Sequence, residues 1–255
     1  MSRWPAKSLR IVFSPGEVAV LRRHGTPASR LLTGTGRGIA DLLPQLDQTL
    51  AESSLNTRRV DVVLSQHFVR HVLTQPPGKP LASAEEHALV LASFRSIYGD
   101  ETSRWNMQVL SQPPQHGLLG AAIDGAFLQQ LEAMLGRHGL TDIAIRPLAS
   151  LAARRLPKRF KGWWALVEPG WLSLFGGTGN AWQYVSGQPV DAHWLEALPE
   201  SIALATEGTA STLPASVWVQ SFGIGAVSAP VDQRERWQVL PHDQAVQGAL
   251  ALAGV

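Results

Sequence analysis

Glu168-Pro169-Gly170 lies at the centre of GWWALVEPGWLSLFGGTGNAWQY, residues Gly162 to Tyr184. It sets a carboxylate on a tight turn between two apolar runs. Turns of this kind can aim backbone amides at a phosphate, and a carboxylate beside them can hold a hydrated divalent cation. A second Pro–Gly tip, Ser14-Pro15-Gly16, lies between LRIVF and EVAVL. In both tips proline removes an N–H that would otherwise face an anion.

Other residues with chemical capacity are scattered. His67 and His71 are four apart, but HFVRHVLT reads as a strand, on which they would share a face about 13 Å apart. No third ligand stands near, so no metal site is expected. Asp124 opens a helix after a strand, where it is either a general-base candidate or an ordinary N-cap. GTGRG, Gly34 to Gly38, precedes a helix but lacks the full dinucleotide spacing and the Lys-Ser/Thr of a P-loop, so it reads as a loop. FGGTGN, Phe175 to Asn180, reads as a hairpin turn. Cysteine is absent, which excludes disulfides, thiol nucleophiles and thiolate metal sites. Arg154, Arg155, Lys158, Arg159 and Lys161 form the one basic cluster, in RRLPKRFKG. It reads as a solvated connector, with an acidic partner or lipid headgroups as the alternative.

The elements that must position these residues follow from periodicity. The chain has 255 residues, 45% apolar and 16% charged, with net charge +2: a globular composition, too weakly basic to imply nucleic acid. No apolar leader core or spanning segment is visible, so the chain is expected to be soluble. LRIVFSPGEVAVLRR reads as a β-hairpin. GIADLLPQLDQTLAES has helical spacing, with Pro44 kinking the helix or marking its first turn. RRVDVVLS and HFVRHVLT read as strands. Ser83, three residues before Glu86, reads as a capping box for AEEHALVLASFRSIYG. RWNMQVLS, LLGAAID and LTDIAIRPL read as strands, AFLQQLEAMLGRHG as a helix and ASLAARRL as a short one.

After the basic connector come three hairpin-linked strands, then DAHWLEALPESIALAT, helical but passing into a strand near IALAT. ASVWVQSFG and ERWQVLP follow as strands, and HDQAVQGALALAG as a terminal helix. Both halves thus open with a meander and then alternate helix and strand, a duplicated mixed-sheet α/β scheme. The boundary falls in the connector, giving lobes 1–156 and 157–255. Trp163 and Trp164 are consecutive in a strand and must point to opposite faces. Seven of the nine tryptophans lie in the second half, as core or as a partner patch.

VDVVLSQHFVRHVLTQPP, EEHALVLASFRSIYGD, WNMQVLSQ and LLGAAIDGAFLQQLEAMLGRHGLTDIAIRPL occur in an order and spacing that resemble the cytoplasmic actin-like proteins of bacterial machines: the PilM-type pilus assembly proteins and the cytoplasmic domain of the type II secretion L protein. The resemblance runs well over Leu9 to Leu156 and in outline beyond. It implies a duplicated RNase H-like fold (actin-like ATPase), with two mixed-sheet lobes and a nucleotide cleft between them.

In that fold each lobe opens with an acidic, Gly-rich hairpin, and the resemblance places Ser14, Gly16, Glu168 and Gly170 at its two phosphate tips and Gly223, in SFGIGA, near adenosine. Ser14 stands where an aspartate belongs. Glu168 supplies an acid one methylene too long, and WLSLF replaces small hydroxyl residues. The cleft is therefore expected to be degenerate, without cofactor. The alternative is an ATPase holding ATP and Mg²⁺, and a kinase-like enzyme would need Asp124 as base. The resemblance further implies a non-catalytic cytoplasmic scaffold, peripheral to the inner membrane through a partner. Its expected partner is the cytoplasmic tail of an inner-membrane pilus or secretion protein, with no nucleic acid bound and no direct insertion.

Overall fold

A computed structural model of the chain describes residues 8–23, 29–36, 39–53, 55–179, 181–207, 213–224, 227–228 and 236–240. Two Pro–Gly hairpins organise it. In the first, β1 (Ser8–Ser14) turns at Pro15-Gly16 into β2 (Glu17–Arg23), and β3 (Ser29–Thr35) extends the meander. In the second, β9 (Lys161–Glu168) turns at Pro169-Gly170 into β10 (Trp171–Thr178), followed by β11 (Ala181–Pro189).

Each meander is completed in the same way. β4 (Arg59–Leu64) and β8 (Asp142–Pro147) add in parallel to β1, giving the order β3-β2-β1-β4-β8. β12 (Val217–Ser221) and β13 (Trp237–Val239) add in parallel to β9, giving β11-β10-β9-β12-β13. The helix after each meander is also equivalent: α1 (Ile39–Glu52) and α5 (Trp194–Glu207) each have 14 residues. Each carries Leu-Pro at its fifth and sixth positions, Leu43-Pro44 and Leu198-Pro199. Pro44 neither starts nor ends its helix, and the strand expected near IALAT is the last two turns of α5.

The two five-stranded sheets face one another. Along β1 and β4 the side chains alternate with period two: Leu9, Ile11, Phe13, Val60, Val62 and Leu64 pack with α1 and α3 (Gly125–Arg137), while Val12 and Val63 turn to the opposite face. There they meet α4 (Leu148–Ala152), together with Trp164, Leu166 and Phe175 of the second sheet. The far face of the second sheet, with Trp163, Ala165 and Val167, packs on α5. Trp163 and Trp164, 1% exposed each, therefore enter two different cores. Trp164 stacks on Phe175 and donates from Nε1 to Gln220 Oε1, so its one polar group is satisfied in the core. The alternative of a second-half aromatic surface patch fails here: Trp163, Trp164, Trp194 and Trp237 are buried, and Trp171, Trp182 and Trp218 are partly buried.

The first half contains a unit the two-lobe scheme lacks. β5 (Arg70–Leu73), β6 (Trp105–Leu110) and β7 (Leu119–Asp124) form a separate antiparallel sheet, β5-β7-β6, with Val90 and Phe94 of α2 (Ser83–Tyr98) against it. RWNMQVLS and LLGAAID belong to this third sheet. Gly120 in β7 has no room for a Cβ, which would come 2.5 Å from Val90, so the helix seats directly on the strand. Gln66–Phe68 is a 3-10 turn and not a strand. The cap of α2 sits one residue before the expected one: Glu85 Oε2 accepts from the N–H of Ala82, and Glu86 instead accepts from Ser111 Oγ. The expected terminal helix, residues 242–254, lies outside the described residues.

Candidate functional site

β1 and β4 run parallel, as do β9 and β12, so their carboxyl ends bring Ser14, Ser65, Glu168 and Ser221 to one end of each sheet. This is where ligands bind in open α/β sheets. The strand ends are tied by backbone bonds: Ser65 N–H donates to Phe13 O at 2.9 Å and Phe222 N–H to Val167 O at 2.8 Å. Gly223 follows, with φ of +72°.

The two hairpin tips are built alike. Gly16 and Gly170 both have φ of +75°, as a Pro–Gly turn requires. Gly36 N–H, at the end of β3, donates to Gly16 O at 2.8 Å. Val190 N–H, just past β11, donates to Gly170 O at 3.1 Å. Each tip is thus fastened to the third strand of its own meander. Ser14 is buried at the end of β1, and Glu17 opens β2 opposite it, outside the turn.

The second tip also reaches into the first lobe. Glu168, 1% exposed, accepts through Oε2 from the backbone N–H of Gln66 at 2.8 Å, with the Ser65 hydroxyl beside it. His67 donates from Nε2 to Pro169 O at 2.9 Å, and that bond to a carbonyl fixes the tautomer. The Arg70 guanidinium lies 5.3 Å from the centre of the Trp171 ring, and the His67 ring packs on it as well. Residues 65 to 70 therefore clasp the tip from Glu168 to Trp171. Burial pushes the Glu168 carboxyl up to about 7, against the opposing pull of Ser65 and the Gln66 amide. His67 is pushed below its ordinary range, first by burial and also by Arg70, against the opposing effect of its bond to Pro169.

Of the residues read from the sequence, Ser14, Glu168 and Gly223 come to this end of the sheets, and Gly16 and Gly170 shape its tips. His67 and His71 go to different partners. His71 packs its ring on Phe175, and among the described residues no three acids or histidines gather as a metal site would require. Asp124 is the N-cap of α3, its Oδ1 accepting from Phe127 N–H at 2.7 Å. Of GTGRG, Gly34 and Thr35 end β3 and Gly36 follows them, while Arg37 and Gly38 lie outside the described residues. FGGTGN is strand through Thr178, with its turn after it.

Sequence reasoning missed Ser65, Gln66 and Arg70 as the clasp, and Gln112. The Gln112 side-chain amide acts as a strand partner for β11, accepting from Trp182 N–H at 2.6 Å and donating to Trp182 O at 3.1 Å. The SQHF run, a polar pair between apolar strands, was the available signal for the clasp.

A groove lies beside the clasp. Phe68, Trp105, Ile123 and Phe127, with Arg70 and Asp124 at its rim, line a cavity of about 290 Å³ between the 3-10 turn, the third sheet and α3. It is mostly apolar, with one cation and one carboxylate, a composition suited to an extended or helical peptide.

No protein-family model and no curated protein matches the chain. Solved structures do. The cytoplasmic domain of EpsL, an inner membrane component of the type II secretion system of Vibrio cholerae, matches with a TM-score of 0.58 at 17% identity, over 97% of this chain and 92% of that one. A Bacteroides thetaiotaomicron protein with actin-like ATPase fold and unknown function matches at 0.56 and 10% identity, over 89% and 86%. The PilM–PilN type IV pilus biogenesis complex matches at 0.50 and 15% identity, over 85% and 81%. The chain thus has an actin-like fold of the kind seen in EpsL and PilM.

Proposed function

We propose that the chain is a non-catalytic actin-like scaffold of a pilus or secretion machine. In this reading residues 1–156 and 157–255 form its two lobes. Ser14, Gly16, Glu168, Gly170 and Gly223 are the remnant of a nucleotide cleft. The observation that carries the reading is the state of Glu168: the one acid of the two tips is buried and bonded to Gln66, where a phosphate-facing carboxylate would be solvated and free to order a hydrated cation.

The groove of Phe68, Trp105, Ile123 and Phe127 would receive the cytoplasmic tail of an inner-membrane partner. This extends to the present chain what the neighbours' own names say of them, an inner-membrane component and a two-protein pilus complex. Capture from inner membranes with tagged chain tests it. A pilus or secretion component should be retained, and retention should be lost with Ile123→Glu, which puts a charge on the groove. Recovery of no such component defeats the reading.

One observation favours ATP with Mg²⁺ between the lobes instead. Glu168 Oε1, both atoms of the Gln66 side-chain amide, and Ser221 Oγ are buried without hydrogen-bond partners among the described residues. Such atoms commonly face water or ligand. Calorimetric titration with millimolar ATP and Mg²⁺ separates the two: heat of binding supports the ATPase and its absence supports the scaffold.

A further inference from the structure

Charge in this chain is segregated. From Ile143 to Val190 there are six cations, Arg146, Arg154, Arg155, Lys158, Arg159 and Lys161, against one acid, Glu168, which is buried. The rest of the chain is net negative, since the whole carries only +2. Arg146 is paired with Asp61 at 3.2 Å and Arg155 is engaged within the chain. Among the described residues, the side chains of Arg154, Lys158, Arg159 and Lys161 have no ion-pair or hydrogen-bond partner, and all four residues are exposed.

Their frame is rigid. Leu156 N–H donates to Ala153 O at 3.1 Å and Phe160 N–H to Pro157 O at 2.9 Å, so the chain makes two successive tight turns. Phe160, 6% exposed, plugs the loop into the core against Trp182. The neighbouring β10–β11 hairpin contributes no acid. Four like charges within eight residues repel one another, and among the described residues no acid pairs with them. An external anionic surface would.

We propose that this turn is a docking surface for an anionic lipid bilayer. The cations are exposed on and beside two tight turns, from which long side chains reach a plane without needing a matched partner. A cavity of about 210 Å³ behind Phe160 is lined by Leu110, Gln112, Phe160 and Trp182, and none of the four cations lines it, so it offers no charged groove to an acidic peptide. No exposed aromatic alternates with the cations, as a nucleic-acid surface would require. Juxtaposed lysines and arginines are drawn to the negative surface of an anionic leaflet. The segregated charge would also orient the molecule, its acidic remainder facing away. This contact is independent of the tail-binding groove.

The test is co-sedimentation of the full chain with vesicles. One set contains about 30 mol% phosphatidylglycerol in phosphatidylcholine and the other phosphatidylcholine alone. Binding is expected to the anionic vesicles alone, and to fall steeply in about 0.5 M salt, where screening shortens to a few ångströms. Replacing Arg154, Lys158, Arg159 and Lys161 together by Gln should weaken binding at least about tenfold. The same number of changes at Arg58, Lys79, Arg95 and Arg104 should weaken it far less, and unchanged thermal unfolding shows that both variants fold. Equal losses in the two variants, or no binding to anionic vesicles, overturn the proposal. So does binding of polyglutamate, but not vesicles, through the same four cations, since the surface would then belong to an acidic protein.

Discussion

Glu168 Oε2 accepts the backbone N–H of Gln66 at 2.8 Å, one hundred and two residues away in sequence, and this bond joins the second hairpin tip to the first lobe. Its environment sets a pH dependence. The carboxyl is near 4.5 when unfolded and about 7 when folded, so the native state holds a proton that the unfolded chain has released. The contribution of Glu168 to stability is greatest below pH 4.5 and falls as pH rises to about 7. The 2.5-unit difference corresponds to about 3 kcal/mol. Glu168→Gln keeps an acceptor for Gln66 and cannot ionise. Urea unfolding should show it gaining up to about 3 kcal/mol over wild type at pH 8 and nothing at pH 4. A constant difference across pH would show that Glu168 is solvated.

His71 should act in the opposite direction over nearly the same interval. Burial first, and Arg70 second, push its imidazole down from 6.5 to about 4, so it is neutral in the native state. The unfolded chain gains the proton as pH falls, and stability drops from pH 6.5 towards 4. In wild type this slope and that of Glu168 largely cancel between about pH 4.5 and 6.5. His71→Asn, followed by the same unfolding series, should expose the falling slope of Glu168. If the variant stays as flat as wild type, one of the two groups does not titrate as described.

Arg10 and Asp61 pair at 2.9 Å between parallel neighbours β1 and β4, with side chains 6% and 14% exposed. Asp61→Ala removes the carboxylate that Arg10 and Arg146 both pair with and should cost about 3–5 kcal/mol in chemical unfolding. The exposed pair of Arg59 and Asp142 is longer, at 3.8 Å, with side chains more than half exposed. Asp142→Ala should cost no more than about 1 kcal/mol. Similar losses at the two sites would show that the inter-sheet layer admits water.

The hairpins, their Pro–Gly tips and the double burial of β9 are legible in the sequence because each rests on local signals: apolar alternation, proline beside glycine, and two consecutive tryptophans. What is not legible depends on contacts distant in sequence. The third sheet pairs β5 with β7 across α2, and no local pattern distinguishes its strands from those of the main sheet. IALAT has strand-like composition, but α5 continues through it, with Ala205 buried in the core beneath β9. The acid of the second tip could be found by its spacing. That it bonds to Gln66 could not, because the partner is a backbone amide and carries no signature in residue type.

Gly16 and Gly170 occupy matching positions at matching φ, yet substitution should separate them. At Gly170 a Cβ would meet nothing nearer than His67 Cε1 at 3.9 Å, so Gly170→Ala bears only the left-handed backbone cost, about 1–2 kcal/mol. At Gly16 a Cβ would lie 2.9 Å from Gly36 O, a backbone atom. The relief available is to move the end of β3 away, and that strains the bond from Gly36 N–H to Gly16 O. Gly16→Ala should therefore cost measurably more than Gly170→Ala in the same denaturant titration. Equal costs would mean that the first tip is not held against β3, and the likeness between the two tips would then stop at their φ angles.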